Sequence, residues 1–490
     1  MGDNYLFAKA KVTAGFSLLA AIFVCAAVSA APWQGAGTTD EPYLISDADD
    51  LQAVGADPNY WDAHFKMNAD IDLRALGEAA FNMIGYWCDG YSWYDAKAFT
   101  GVFDGDGHTV SNLTEARSIG DAELNGFFGY VGTSGEVKDL GLLDVHLEGR
   151  SLGSLVGYNE GTVSSCCAVG SVSGDNACPG IPCGFGGLVG FNAGTISNCH
   201  ADVLTTGDGG VYFGPIIPCG GLAGVKQGRI VDSCATGSVE ASYAGGLVGY
   251  NEGIIWGSYA TGSVTGAQAG GGLVGTNFDG TISACYARGS VVGRQHVGGL
   301  VGRNGGRIAY SYGTGSVTGE ENVGGLVGIN CADKEWSQDD WGSGEIEVSF
   351  WDTSTSGIGT MCGHRDDVRA GCDSRNGRTT SEMQTMSTFV EAGWDFVGQM
   401  NQGPNDEWAM PDGGGYPILW WQLPEASLPP LPDFSGGSGV EDDPYIVADA
   451  CDLNSIGSNP RLMDRHFVLS KDVDLANTAF FPRDIVKCCG

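Results

Sequence analysis

Gly246-Leu247-Val248-Gly249-Tyr250-Asn251-Glu252-Gly253, followed shortly by Ser258-Tyr259-Ala260-Thr261-Gly262-Ser263-Val264, is the stretch whose reading decides the fold. It recurs along the chain. The large apolar residue after the glycines is Phe127, Leu155, Leu188, Leu222, Leu247, Leu273, Leu300 and Leu326, at spacings of 28, 33, 34, 25, 26, 27 and 26 residues. Each unit supplies two or three strands of about four to six residues, separated by glycines that allow turns with positive φ. A unit so short cannot bury its own apolar face, but stacked units share one core. Strand-and-turn units near 26 residues long therefore predict an all-β parallel β-helix, or β-solenoid, of about eight coils. A propeller is the rival, and its blades need roughly 40–50 residues and four strands each.

Columns of like residues follow from that register. Cys166, Cys199, Ser233, Ser258, Cys285 and Ser311 form one small column, and Ala168, Ala201, Ala235, Ala260, Ala287 and Gly313 a second. Between them runs a mixed column of Cys167, His200, Cys234, Tyr259, Tyr286 and Tyr312, which alternation sends to the opposite face. A further ladder occupies the turn after the leucine strand: Asn159, Asn192, Asn251, Asn277, Asn304 and Asn330, with Lys226 breaking it in the fourth unit. Asparagine tolerates left-handed backbone and can both donate and accept along a stack, so a structural role is expected.

Residues 41–73 and 443–475 align without a gap at an offset of 402, and 14 of the 33 positions are identical. The expected organisation is a signal peptide at 1–30, an N-terminal cap with the first coils at 31–125, and solenoid repeats at 126–344. A C-terminal cap at 345–423, with a short helix near Ser381–Phe389, a Pro/Gly linker at 424–440 and a truncated second copy of the N-terminal cap at 441–490 complete it. Lys9 and Lys11 ahead of the apolar run Ala14–Val28, with small residues at Val28-Ser29-Ala30, give the export signal. No later stretch is apolar enough to span a membrane, so none is expected after cleavage.

Composition agrees. Of 490 residues, 81 are glycine, which disfavours long helices, and the net charge of −35 repels nucleic acid and anionic lipid. Export permits disulfides, and Cys166–Cys199, Cys178–Cys183 and Cys362–Cys372 are candidate pairs.

The unit resembles the GLUG motif of bacterial surface proteins, on the residues quoted at the outset and over roughly 40–420. That motif occurs in large adhesins and in some immunoglobulin A peptidases, where it accompanies a separate catalytic domain. The resemblance implies an extracellular β-helical stalk or adhesive module at the bacterial surface. No His-Glu-x-x-His occurs, and the Gly149–Gly153 match to Gly-x-Ser-x-Gly and the Gly270–Gly275 match to a dinucleotide loop both lack the helix that such motifs need. The expectation is a non-enzymatic protein without a cofactor, binding an extracellular glycan or a surface protein. A β-helix carbohydrate-active enzyme, a polysaccharide lyase or glycoside hydrolase, is the alternative. Tyr259, Tyr286 and Tyr312 offer a ring platform for a ligand if they face outward and are open. Asp104 and Asp106 offer weak Ca²⁺ binding, against the ordinary reading of Asp-Gly as a tight turn.

Overall fold

The computed structural model describes residues 31–77, 79–86, 96–114, 116–117, 124–149, 152–174, 184–207, 217–330, 344–364, 372–397, 407–424, 434–440, 442–448, 452, 462 and 465–472. Trp33–Gly490 forms one compact unit. The expected signal peptide and the pair Cys178–Cys183 lie outside the described residues.

The chain winds as a parallel β-helix. One coil shows the plan: Val248–Asn251 lies in one sheet, Ile254–Trp256 in a second, and Tyr259–Ala260 with Val264–Gly271 in a third. The next coil repeats it in register, with Val248 opposite Val274, Ile255 opposite Ile282, Tyr259 opposite Tyr286 and Val264 opposite Val291. Leu247, Leu273 and Leu300 are fully buried, and their N–H groups donate to the carbonyls of Leu273, Leu300 and Leu326 at 2.8, 2.8 and 2.9 Å. The leucines thus line a common interior, capped on the other walls by Val163, Ile196, Ile230, Ile255, Ile282 and Ile308. Such rows bury apolar surface at about 25 cal/mol per Å², and their backbone N–H groups pair from coil to coil.

The stacking runs past the repeats that announce it. Among the described residues the Ile-bearing sheet has 11 strands, from Tyr43–Ile45 to Glu345–Glu347, so the N-terminal region is itself built of rungs. Among the described residues the leucine-side sheet has nine strands rather than eight, its ninth being Cys362–His364. At the N-terminal end the helix Ala48–Ala56 starts at Asp47, whose carboxylate accepts from Asp50 N–H at 3.0 Å, and it buries Leu51 and Val54. The expected helix near Ser381–Phe389 is two short ones, Thr380–Met383 and Met386–Val390.

Glycine is required where coils close on each other. A Cβ on Gly262 would strike the carbonyl oxygen of Gly237 on the neighbouring coil. The small column has a physical reason too. Each side chain accepts the N–H of its counterpart one coil earlier: Cys199 N–H to Ser233 Oγ at 3.1 Å, Ser233 N–H to Ser258 Oγ at 3.1 Å, Cys285 N–H to Ser311 Oγ at 3.1 Å. Serine and cysteine fit because both accept that donor while returning a proton to a carbonyl two residues back, as Cys199 Sγ does to Ser197 O at 3.2 Å.

Candidate functional site

The tyrosine column alternates with the inward Ala260 and Ala287 and so faces away from the coil interior, and on that outer side Tyr286 and Tyr312 pack with Phe389, Trp394 and Trp408. The rings stack, with centroids 4.8 Å apart for Tyr259–Tyr286 and 5.2 Å for Tyr286–Tyr312. Tyr286 and Tyr312 are nevertheless closed to a ligand, because the C-terminal segment folds back over them, while Tyr259 is half-buried. Trp421 stacks on Tyr259 at 5.6 Å and donates its indole N–H to Gly257 O at 2.9 Å. Trp394 and Trp408 lie against Tyr312, at 6.3 and 5.6 Å. Arg288 sits over the Tyr286 ring at 4.5 Å and donates to Tyr312 Oη at 2.8 Å and Pro417 O at 2.9 Å. Tyr286 and Tyr312 are 1% and 0% exposed, and burial pushes the Tyr286 phenol up to about 12. The ring platform expected from sequence is therefore corrected for Tyr286 and Tyr312, which form the floor of the C-terminal cap. Asp352 fastens that cap, accepting from Tyr416 Oη and Thr380 Oγ1 at 2.7 Å each and from two backbone N–H groups.

The other expected groups fall as follows. Asp104 and Asp106 form a tight turn, in which Asp106 has φ 50 and donates its N–H to Asp104 Oδ1 at 2.8 Å. Lys66 Nζ lies 3.0 Å from Asp106 and Lys138 Nζ 3.8 Å from Asp104, so ammonium groups stand where a cation would. Among the described residues no cluster of three or more His, Cys, Asp or Glu is placed to hold a metal. The asparagines do form the ladder: Asn159 to Asn192, Asn251 to Asn277, Asn277 to Asn304 and Asn304 to Asn330, with Nδ2 to Oδ1 distances of 2.7, 2.7, 2.8 and 2.7 Å. Cys362–Cys372 is bonded, whereas the expected pair Cys166–Cys199 is two buried free thiols, each engaged with a carbonyl.

Two arrangements were not foreseen from the sequence, a contact of His200 and a cleft. Below the capped tyrosines, the mixed column leaves His200 Nδ1 3.1 Å from Cys234 Sγ, half-buried, with the imidazole held below its usual pKa by desolvation. Nearer the N-terminal end is a cleft of about 520 Å³ on the outer face of the third sheet. Thr114, Asn125, His146, Glu148, Ser171 and Ser173 line it with Leu147 and Leu152. His146 and Glu148 project from one side of the strand Gly141–Gly149, and the next coil sets Ser171 and Ser173 directly opposite them. The signal was His-x-Glu answered one unit later by Ser-x-Ser, in coils where the repeat is least regular.

The chain is a parallel β-solenoid stacked through leucine, asparagine and serine ladders, and its residues 240–265 match the GLUG motif. Halomucin of Haloquadratum walsbyi is 35% identical over 153 residues, 31% of this chain and 2% of that protein. A protein of Evansella cellulosilytica provisionally named a Gly-rich membrane protein is 32% identical over 140 residues, 27% of this chain and 15% of that one. The matched region thus spans only a small part of either relative. Among solved structures, a Bacteroides ovatus protein provisionally named an immunoglobulin A1 protease is similar with TM-score 0.39 and 19% identity, over 79% of this chain and 95% of that one. An IgA1 protease is similar with TM-score 0.37 and 16% identity, over 63% of this chain and 19% of that one. The expectation of a non-enzymatic chain is corrected by these two, because solved chains that it resembles are named as proteases. Likeness at this level passes no proteolytic activity to this chain.

Proposed function

We propose that this protein is an extracellular binding module at the cell surface, in which the solenoid serves as a stiff support and the lateral cleft holds a glycan. The observation that carries the reading is the cleft's chemistry. A carboxylate, an imidazole, three hydroxyls and an amide line one cleft, a set of polar groups that suits a hydroxyl-rich ligand. The export signal expected at 1–30 and the similarity to a halomucin and a Gly-rich membrane protein support an extracellular setting. Among the described residues no helix is long and apolar enough to cross a membrane. The acidic chain, at −35, favours neutral or cationic ligands over polyanions.

A carbohydrate-active β-helix is the second reading, favoured by His146 and Glu148 on the same side of one strand, an acid–base pair open to solvent. A glycan array followed by chromatography of the bound sugar tests both. Binding that Glu148→Gln weakens about tenfold or more, the cost of a lost charged hydrogen bond, supports the cleft. Shortened sugars in the eluate assign the second reading, and binding indifferent to Glu148→Gln and His146→Ala removes the cleft from either.

A further inference from the structure

One column of the third sheet changes character along the solenoid. Gly141, Cys167, His200, Cys234, Tyr259, Tyr286 and Tyr312 stand opposite one another on successive coils. The tyrosines are accounted for by the C-terminal cap packed on them, and Cys166 and Cys199 by the hydrogen bonds of the serine column. Neither explanation reaches Cys167, His200 and Cys234. They set two thiols and an imidazole where the later coils carry rings, on one face and at the roughly 4.8 Å rise of stacked strands.

Two of the three already meet. His200 Nδ1 lies 3.1 Å from Cys234 Sγ, which the Tyr259 hydroxyl of the next coil also reaches. Cys234 is 5% exposed and His200 is half-buried, so the pair is partly screened from water while keeping a way in. Cys167, a half-buried free thiol, is turned toward the preceding coil, where a Cβ on Gly141 would stand 3.4 Å from its sulfur. The column therefore presents two donors ready to act together, in keeping with the lack of any cluster of three among the described residues.

The donor set selects the ion. Thiolate sulfur is soft and favours Cu(I), and imidazole also suits copper. Ca²⁺ and Mg²⁺ take oxygen donors, and structural Zn²⁺ asks for four ligands. Two donors suffice for a monovalent d10 ion, which accepts near-linear two-coordinate ligation. We propose that His200 and Cys234 form a binding site for a soft monovalent ion of the Cu(I) class, held by Nδ1 and Sγ. On binding, the S–H bond breaks, the sulfur–metal bond forms and the proton passes to solvent, with no change of oxidation state. Near-linear ligation sets the two atoms further apart than 3.1 Å, which a small side-chain rotation of the half-buried imidazole supplies.

The test titrates the full-length chain, reduced and anaerobic, with Cu(I) against a chromophoric Cu(I) chelator, and repeats it on His200→Tyr, Cys234→Ser and Cys285→Ser. Tyrosine is what later coils carry in this column, and serine replaces cysteine elsewhere in the repeat, so circular dichroism should be unchanged in all three. His200→Tyr and Cys234→Ser should each weaken the tightest site by more than about 100-fold, beyond the roughly 10–100-fold that loss of a merely supporting group costs. Cys285→Ser, which removes a thiol of the serine column, should leave it unaltered. X-ray absorption of the one-equivalent wild-type complex, which needs no variant, should show both a nitrogen and a sulfur neighbour. Absence of tight Cu(I) binding, binding indifferent to His200→Tyr, or a copper shell of sulfur alone overturns the proposal.

Discussion

Lys226 occupies the one rung where the asparagine ladder is broken, and replacing it with asparagine should stabilise the protein. Its register partners are Asn192 on one coil and Asn251 on the next. Its side chain is fully buried, and its ammonium nitrogen donates to Gly228 O at 2.7 Å. Asn192, deprived of an amide oxygen above it, turns to the carbonyls of Gly194 and Arg229, both at 3.2 Å. Lys226→Asn restores two amide–amide bonds of the kind seen at 2.7–2.8 Å elsewhere in the ladder, about 1 kcal/mol each. It also removes a poorly satisfied buried amine, worth about 1–3 kcal/mol, while the lost methylenes cost about 1–2 kcal/mol. The net gain is about 2 kcal/mol. Burial first, and the Arg229 guanidinium second, hold the amine well below its usual 10.5. Between its folded pKa and 10.5 the unfolded chain therefore binds the extra proton, and wild-type stability rises with pH across that window. The gap between variant and wild type should be widest at the low end and narrow as pH approaches 10.5. Urea unfolding of both proteins at several pH values from neutral to 10.5 measures it. A variant less stable than wild type, or a gap that does not change with pH, would refute the reasoning.

Gly262→Ala should destabilise by several kcal/mol, about 3 or more, because its Cβ meets the backbone of Gly237 and the coils must part. Gly359→Ala, with nothing near its Cβ, should be neutral or gain about 0.4–1 kcal/mol, and thermal melts of the two separate close approach from a general intolerance of alanine. In iodoacetamide labelling at pH about 8, the half-buried Cys167 should react before Cys219 and Cys285, which are 0% exposed. Burial pushes the Cys285 thiol up to about 12, so little thiolate exists to react, and peptide mapping that found it labelled as fast as Cys167 would contradict the packing.

What was legible in the sequence was whatever repeats. Leu247 and its counterparts, the six asparagines and the Cys/Ser column each recur once per coil, so their spacing carries their neighbours with it. What was not legible comes from outside the repeat. The pleat sends Tyr259, Tyr286 and Tyr312 outward, but their cover arrives from Trp421 and Gln422, which bond to Gly257 and Tyr286 across 164 and 136 residues. No periodicity announces such a contact. The cysteines divide in the same way. Cys362 and Cys372 lie 10 residues apart outside the regular coils and are joined, whereas Cys166 and Cys199 stand in the serine column and spend their thiols on its hydrogen bonds. Stacking brought those two close enough to be disulfide candidates, and stacking also gave each sulfur another partner.

A ladder that explains a residue also removes the need for any other explanation of it. Asn277 is accounted for by Asn251 on one side and Asn304 on the other, and nothing about it calls for a ligand. The informative positions are therefore those that break their column. Lys226 puts a buried amine among amides, His200 puts an imidazole against a thiol where later coils have tyrosine, and Val468 puts an apolar side chain where the first copy has a lysine paired with Asp106. His146 and Glu148 belong with them, since Ser171 and Ser173 stand opposite on the following coil and the cleft opens between them. In a solenoid the search for chemistry reduces to a search for such exceptions, because every conforming rung is already committed to holding the next.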